Sequence, residues 1–313
     1  MAAPPLAWPE LSLARDGAAI ATLHLFSQVV GKVPTAVLPW RNHGWHLTLH
    51  LTPRGLRTEP IHAPGGTFEL LLDLIEGEAV LDQGQARSSL PLTGLSVAEF
   101  HQGVSDMLAR AGHEIRVHSA PNEIDPAVPF AEDRVARSFD PDSAHRLLGA
   151  LLSADRVFRL FRSGFLGKVS PVHFFWGSFD LAVTRFSGRR APPHPGGIPH
   201  LPDPVTREAY SHEVASAGFW PGGAQPGDPF FYAYAYPAPA GFAEAKVEPA
   251  AARYDAGLGE FVLDYEAVRG ASRPDEALLA FLDSSYAAAA DLGRWDRAAL
   301  ECPRGRPRVP RAV

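Results

Sequence analysis

Twenty residues, Pro171–Arg190, constrain the fold of this chain more than any others: PVHFFWGSFDLAVTRFSGRR. The run is dense in aromatic residues, alternates, and carries no helix cap. It is therefore predicted as one long central strand, buried on both sides for part of its length. A period of two puts Phe175, Phe179, Leu181 and Val183 on one face with His173 and Arg185, and Trp176, Ser178, Asp180 and Thr184 on the other. Gly177 leaves room for another backbone or a ligand to approach. Asp180 is the point of tension, because a carboxylate between Phe179 and Leu181 costs free energy unless it is paired or hydrogen-bonded. Arg189, Arg190 or a residue from elsewhere is the expected partner, since Arg185 falls on the opposite face.

The sequence around this run supplies strands and capped helices. A first helix is predicted from an N-cap at Asp16 to about Val30, ended by Gly31, with Ile20, Leu23, Phe26 and Val30 inward. Strict alternation from Trp45 to Thr52 predicts a strand, and a second, short one follows near Leu56–Ile61. Thr67–Glu76 is a third strand, with one or two more before Leu92. Ser96 and Glu99 form a capping box for a helix to Ala111, and Glu114–His118 reads as a strand. Asp140 and Pro141 open a helix that reaches Phe161. Ser119–Phe139 is a loop, and so is Arg190–Tyr210, whose six prolines and two glycines suit a linker or a cover over the mouth of a cleft. Phe219–Gly223 is a turn, Phe230–Pro237 and Glu260–Val268 are strands, and a last long helix opens at Ser272–Asp275 and ends at Gly293.

This order points to an α+β fold, mainly antiparallel sheet with flanking helices. The preferred arrangement is a pseudo-duplicated α+β unit, with halves at 1–139 and 140–300 packed across the central strand and a flexible tail at 301–313. One continuous antiparallel sheet with helices on one face is the alternative.

Charge and cysteine content narrow the partners. A formal net charge of -6 argues against a general nucleic-acid binder. The single cysteine, Cys302, excludes an internal disulfide framework and a Cys-rich zinc site. The opening MAAPPLAWPELSLARDG does not read as a signal peptide, and no apolar run is long enough to cross a bilayer. A cytoplasmic protein with no nucleic-acid or membrane partner is expected.

The strings PWRNHGWH, PVHFFWGSFDLAVTRFSGR, YSHEVASAGFWPG and FYAYAYP resemble those of a bacterial family of about this length catalogued only as a domain of unknown function. The resemblance runs roughly from Trp8 to Gly293. It implies a cytoplasmic bacterial protein and brings no activity, cofactor or catalytic residue with it.

Candidate chemistry therefore comes from the residues alone. His43, His46, His173 and His212, with Glu213 beside the last, could hold a divalent zinc, iron or manganese ion if the chain brings them together. Their spacing matches no metal signature, and histidines beside Trp and Phe also serve as hydrogen-bonded core residues. Asp180, Glu123 and Glu213 are candidate acid–base groups, because a carboxylate among aromatics should hold its proton to higher pH. A structural ion pair from Asp180 to Arg185 or Arg189 is the alternative. Arg185 and Arg189 offer guanidinium forks for an oxyanion, while Trp176, Tyr232 and Tyr234 could line a pocket for an aromatic or sugar-like molecule. No phosphate loop and no GxSxG elbow is present. Two functions fit: an enzyme, metal-dependent or not, acting on a small polar or anionic molecule in a His/aromatic-lined cleft, or a non-catalytic protein that binds a small molecule or a partner there.

Overall fold

Helix α1 (Leu13–Val37) forms the spine of the computed structural model, which describes residues 8–311. It begins ahead of Asp16, which lies in the first turn and accepts from the Ser12 N–H at 2.9 Å. Nor does it stop at Gly31. The glycine serves packing instead: a Cβ there would lie 2.2 Å from the Trp176 indole, so only Gly lets that ring lie against the helix. The helix continues through Pro34 and packs on α2 (Val97–Arg110) and α3 (Pro141–Arg162).

The first sheet orders β1 (His50–Thr52), β2 (Gly55–Arg57), β4 (Gly66–Asp73), β5 (Glu78–Asp82) and β6 (Arg87–Pro91), with β3 (Ile61–Ala63) paired to the start of β4. The strand predicted from Trp45 begins late, because Asn42–Leu47 coils into a 3-10 helix in which His43 and Gly44 take φ of 59° and 68°. Left-handed residues cannot continue an extended chain, so the alternation of Trp45 and Leu47 reflects no pleat. Ser96 caps α2 as expected, with Glu99 returning to the Ser96 N–H at 2.8 Å, and Asp140 caps α3 by accepting from the Ser143 N–H at 2.9 Å. Residues 114–118 form no strand and belong to the loop that joins these helices.

The second sheet runs β7 (His173–Phe175), β8 (Asp180–Arg190), β9 (His212–Trp220), β10 (Phe230–Tyr236), β12 (Glu260–Asp264) and β11 (Arg253–Asp255), antiparallel throughout. The predicted single strand over Pro171–Arg190 is a hairpin. The chain reverses between Trp176 and Phe179, where Phe179 takes φ 64°, and His173 returns opposite Ala182. Strand β9 lies mid-sheet although Ala215–Gly218 are small residues of low strand preference, and it takes in Phe219 and Trp220 of the predicted turn. After β12 the chain coils into α5 (Tyr265–Arg269), where the sequence predicts more strand, and α6 (Pro274–Leu292) and α7 (Arg297–Leu300) follow. Helix α4 (Asp203–Ala209) lies within the proline-rich segment.

Two features of the second sheet place the site. Its odd-numbered face, including Leu181, Val183, Phe219, Phe231, Phe261 and Leu263, is buried in a core shared with α3 and α6. Its even-numbered face is open. The two sheets meet where Leu49 and Phe174 exchange both backbone hydrogen bonds at 2.8 Å. Each half of the chain thus carries one six-stranded sheet, in a different strand order. The tail residues described, 301–311, run back along the end of α3, where Cys302 N–H donates to the Gly164 carbonyl at 3.2 Å and Arg311 to that of Ser163. The reading of the opening segment rests partly on residues 1–7, which lie outside the described residues.

Candidate active site

The open face of the second sheet floors a cleft of about 1690 Å³. Asp180, Ala182, Thr184 and Phe186 of β8, Val214, Ser216 and Trp220 of β9, Phe230, Tyr232 and Tyr234 of β10, and Glu260 of β12 contribute to that floor. Lys32 of α1, the 3-10 segment with Trp45, and the loop bearing Glu123 form the walls. Ile198–Pro202 and α4 line it from the proline-rich segment, which is tied across by Trp40 Nε1 donating to Glu208 at 2.8 Å and by His200 beside Asp125 at 3.3 Å.

Asp180 sits at the bottom, 5% exposed. Among the described residues no arginine pairs with it. Its two oxygens accept instead from the hydroxyls of Ser178 and Tyr232. Tyr232 reaches β8 from β10 by lying across β9 at Gly218, where a Cβ would come within 2.3 Å of the phenol oxygen. The small residues of β9 thus make room for the tyrosines above them. Burial pushes the Asp180 carboxyl up from its ordinary value, against the lowering effect of the two hydroxyls. Burial and the neighbouring Asp180 carboxylate push the Tyr232 phenol well above its ordinary value, so it stays a donor.

Two more carboxyls feel Asp180. Glu123 is held in the left-handed region at φ 58°, with Oε1 resting against Gly177 so closely that a Cβ on the glycine would meet it at 2.2 Å. Burial, reinforced by Asp180, raises Glu123 to about 7. Glu260 rises to about 7 through burial first, then Asp180 and Asp255. Glu123 and Glu260 thus hold their protons to near neutrality, each through burial and the charge of Asp180, and among the described residues no cation pairs with any of the three.

A stripe of polar residues on α1 positions the walls. Gln28 Oε1 accepts from the Asn122 N–H at 2.9 Å, while its amide donates to the carbonyls of Gly177 at 3.0 Å and Trp176 at 3.1 Å. His24 accepts from Ala224 N–H through Nδ1 at 3.0 Å, which leaves Nε2–H to donate to the Gly177 carbonyl at 2.9 Å. Burial lowers His24 to about 4, so the ring stays neutral. Lys32 donates to the Asn122 side-chain oxygen and lies 5.3 Å from the centre of the Trp176 ring, and burial lowers it to about 8. His24, Gln28 and Lys32 recur at a spacing of four along α1, a signal present in the sequence but masked by the apolar stripe. Glu260 carries no such signal, since a glutamate opening a strand is ordinary.

Of the residues that the sequence singles out, Asp180, Glu123, Trp176, Tyr232 and Tyr234 all line this cleft. Arg185 does not. It lies on the helical face, its guanidinium 3.5 Å from the centre of the Phe161 ring and donating to the Phe161 carbonyl at 2.5 Å, as the parity of β8 requires. Arg189 and Glu213 pair with each other at 2.6 Å near the end of β8, where Arg189 also caps the carbonyl of Gly293. Of the four histidines, His43 also lines the cleft. The His43 ring is 5.9 Å from that of His212, but its Nδ1 faces the Ala209 carbonyl at 2.9 Å and its Nε2 the Lys168 amine at 2.5 Å. His46 accepts from the Arg41 N–H at 3.2 Å, and His173 is buried beside Phe175 with neither nitrogen hydrogen-bonded. Among the described residues no three His, Cys, Asp or Glu side chains are grouped to hold a metal ion.

The model of a family of unknown function, DUF5996, matches residues 8–302. The chain belongs to this family. The match takes in every residue of the DUF5996 cleft, from Lys32 to Asp264, and both sheets. No curated protein and no solved structure matches the chain. No helix of the described residues is long and apolar enough to cross a membrane.

Proposed function

We propose that this protein is an enzyme whose cleft carries out general acid–base chemistry on a small polar molecule, with Asp180, Glu123 and Glu260 as the proton-transferring groups. The observation that carries this reading is a buried carboxyl held by two hydroxyls at the floor of an open cleft, with no cation paired to it among the described residues and with two further carboxyls of the cleft raised by its charge. A buried carboxyl without a cation costs folding free energy, and groups perturbed in this way within a cleft concentrate at functional sites. Glu123 and Glu260, both raised to about 7, are divided between acid and base forms at working pH. Trp176, Tyr210 and Tyr234 offer faces and hydroxyls for orienting a polar ligand. Arg185 and Arg189, which suggested an anionic substrate, lie outside the cleft, and the cations that line it are Lys32, Arg116 and Arg253. A single cysteine suits a reducing compartment, and the activity belongs in the cytoplasm on this reading.

The test is substrate depletion. The protein is incubated with a pool of polar metabolites, and losses are followed by mass spectrometry against the Asp180→Asn and Glu123→Gln variants. At least one compound should be consumed by the parent at ten times the rate of either folded variant or more. Consumption that survives both substitutions overturns the acid–base assignment. Binding of a compound without any turnover makes the cleft a binding site only.

A further inference from the structure

Lysine is rare in this chain: Lys32, Lys168 and Lys246 are the only three among 313 residues. Lys246 is exposed, whereas Lys32 is 4% exposed and lines the cleft. A buried lysine is ordinarily matched by a carboxylate. Lys32 has none among the described residues; its partners are the Asn122 amide oxygen and the face of Trp176. Of the titratable groups that line the same cleft, among them Glu123, Asp180, Arg116, His118 and His200, none forms an ion pair with Lys32, and burial lowers its basicity. Lys32 and Glu123 bracket the same peptide. Asn122, which holds the amine, precedes Glu123, and Trp176, which the amine faces, precedes the Gly177 against which the Glu123 carboxyl rests.

We infer that Lys32 is a nucleophilic amine of this cleft, and that the substrates are aldehydes or ketones that it captures as an imine. The free amine adds through its nitrogen lone pair to the carbonyl carbon, and a proton moves from nitrogen to the former carbonyl oxygen. A cleft carboxyl in its acid form, with Glu123 the nearest in the chain to the Lys32 contact, then protonates that hydroxyl so that it leaves as water while the C=N bond forms. One water is released and nothing is oxidised or reduced. A desolvated lysine without a counter-ion is the form that carries this chemistry, because only the unprotonated amine attacks. With its basicity lowered to about 8, Lys32 is about one-tenth free amine at pH 7, against well under one part in a thousand for an ordinary lysine.

The inference rests on the acid–base reading for its second step, and the experiment separates the two. Parent protein is treated with propanal and cyanoborohydride between pH 6 and 10, and propylated peptides are quantified. Lys32 should be propylated at least tenfold faster than Lys246 at pH 7, with a midpoint near pH 8, and Lys32→Arg should abolish that peptide's modification while leaving Lys246 unchanged. Slower trapping at Lys32 in Glu123→Gln supports both readings. Fast trapping that neither Glu123→Gln nor Asp180→Asn slows keeps the imine and refutes the acid–base role. A Lys32 no more reactive than Lys246 overturns the imine and leaves the depletion test standing.

Discussion

Glu123→Gln should stabilise this protein, and only above the pH at which the carboxyl ionises in the unfolded chain. The folded state holds the Glu123 proton to about pH 7, the unfolded state to its ordinary 4.5. Between those values the folded state binds more protons, so this group makes stability fall as pH rises. At about 1.4 kcal/mol per pH unit of displacement, the cost reaches about 3 kcal/mol above pH 7 and vanishes below 4.5. Glutamine has the shape of the protonated acid and never ionises. Urea unfolding followed by tryptophan fluorescence at pH 4.5, 6 and 8 should therefore show variant minus parent near zero, then rising, then about 3 kcal/mol. In a thermal scan this corresponds to about 6 °C at pH 8, at about 2 °C per kcal/mol for a chain of this size. A difference that does not change with pH refutes the argument, because it means that Glu123 ionises as freely in the fold as outside it.

Substitutions at three further positions probe the construction of the site. Asp180→Asn should melt no lower than the parent at pH 8, whereas Asp180→Leu should fall below Asp180→Asn by about 1–3 kcal/mol, the cost of leaving the Tyr232 hydroxyl buried without a partner; equal stability of the two variants removes that hydrogen bond from the account. Gly218→Ala should cost about 1–3 kcal/mol because its methyl would displace Tyr232. In a Tyr232→Leu background that cost should shrink, and an unchanged cost in urea titrations would locate the strain elsewhere. Gly31→Ala should destabilise even though alanine is the better helix former by about 1 kcal/mol, since the Trp176 ring occupies that space; a higher melting temperature for this variant contradicts the packing.

Which elements are legible in the sequence follows from where the energy sits. Local chemistry declares α2 and α3: Ser96 with Glu99, and Asp140 before Pro141, are end signals whose hydrogen bonds form within four residues. Parity along β8 separates Asp180 from Arg185 correctly, because one side of a strand is one side whatever it packs on. Sequence patterns mislead where tertiary contacts overrule local preference. Gly31 resembles a helix stop but is the seat of the Trp176 ring. Phe179 and His43 take positive φ, which no aromatic or alternating pattern announces, and these turn one expected strand into a hairpin and another into a 3-10 coil. Strand β9 is held by its neighbours and by the tyrosines above it, not by its own residues. Within the site, Asp180 and the tyrosines stand out from sequence, whereas Glu260 and Lys32 matter only because the fold brings separate segments to one cleft.

The acid–base site stands or falls on Asp180 raising the two glutamates of its cleft. Carbon-13 carboxyl shifts of the selectively labelled parent, followed by NMR from pH 3 to 9, measure that effect directly. Glu123 and Glu260 should titrate near 7, with Asp180 above its ordinary value, and Asp180→Asn should move both glutamates down. Glutamates that titrate near 4.5 in the parent, unmoved by Asp180→Asn, would contradict the site.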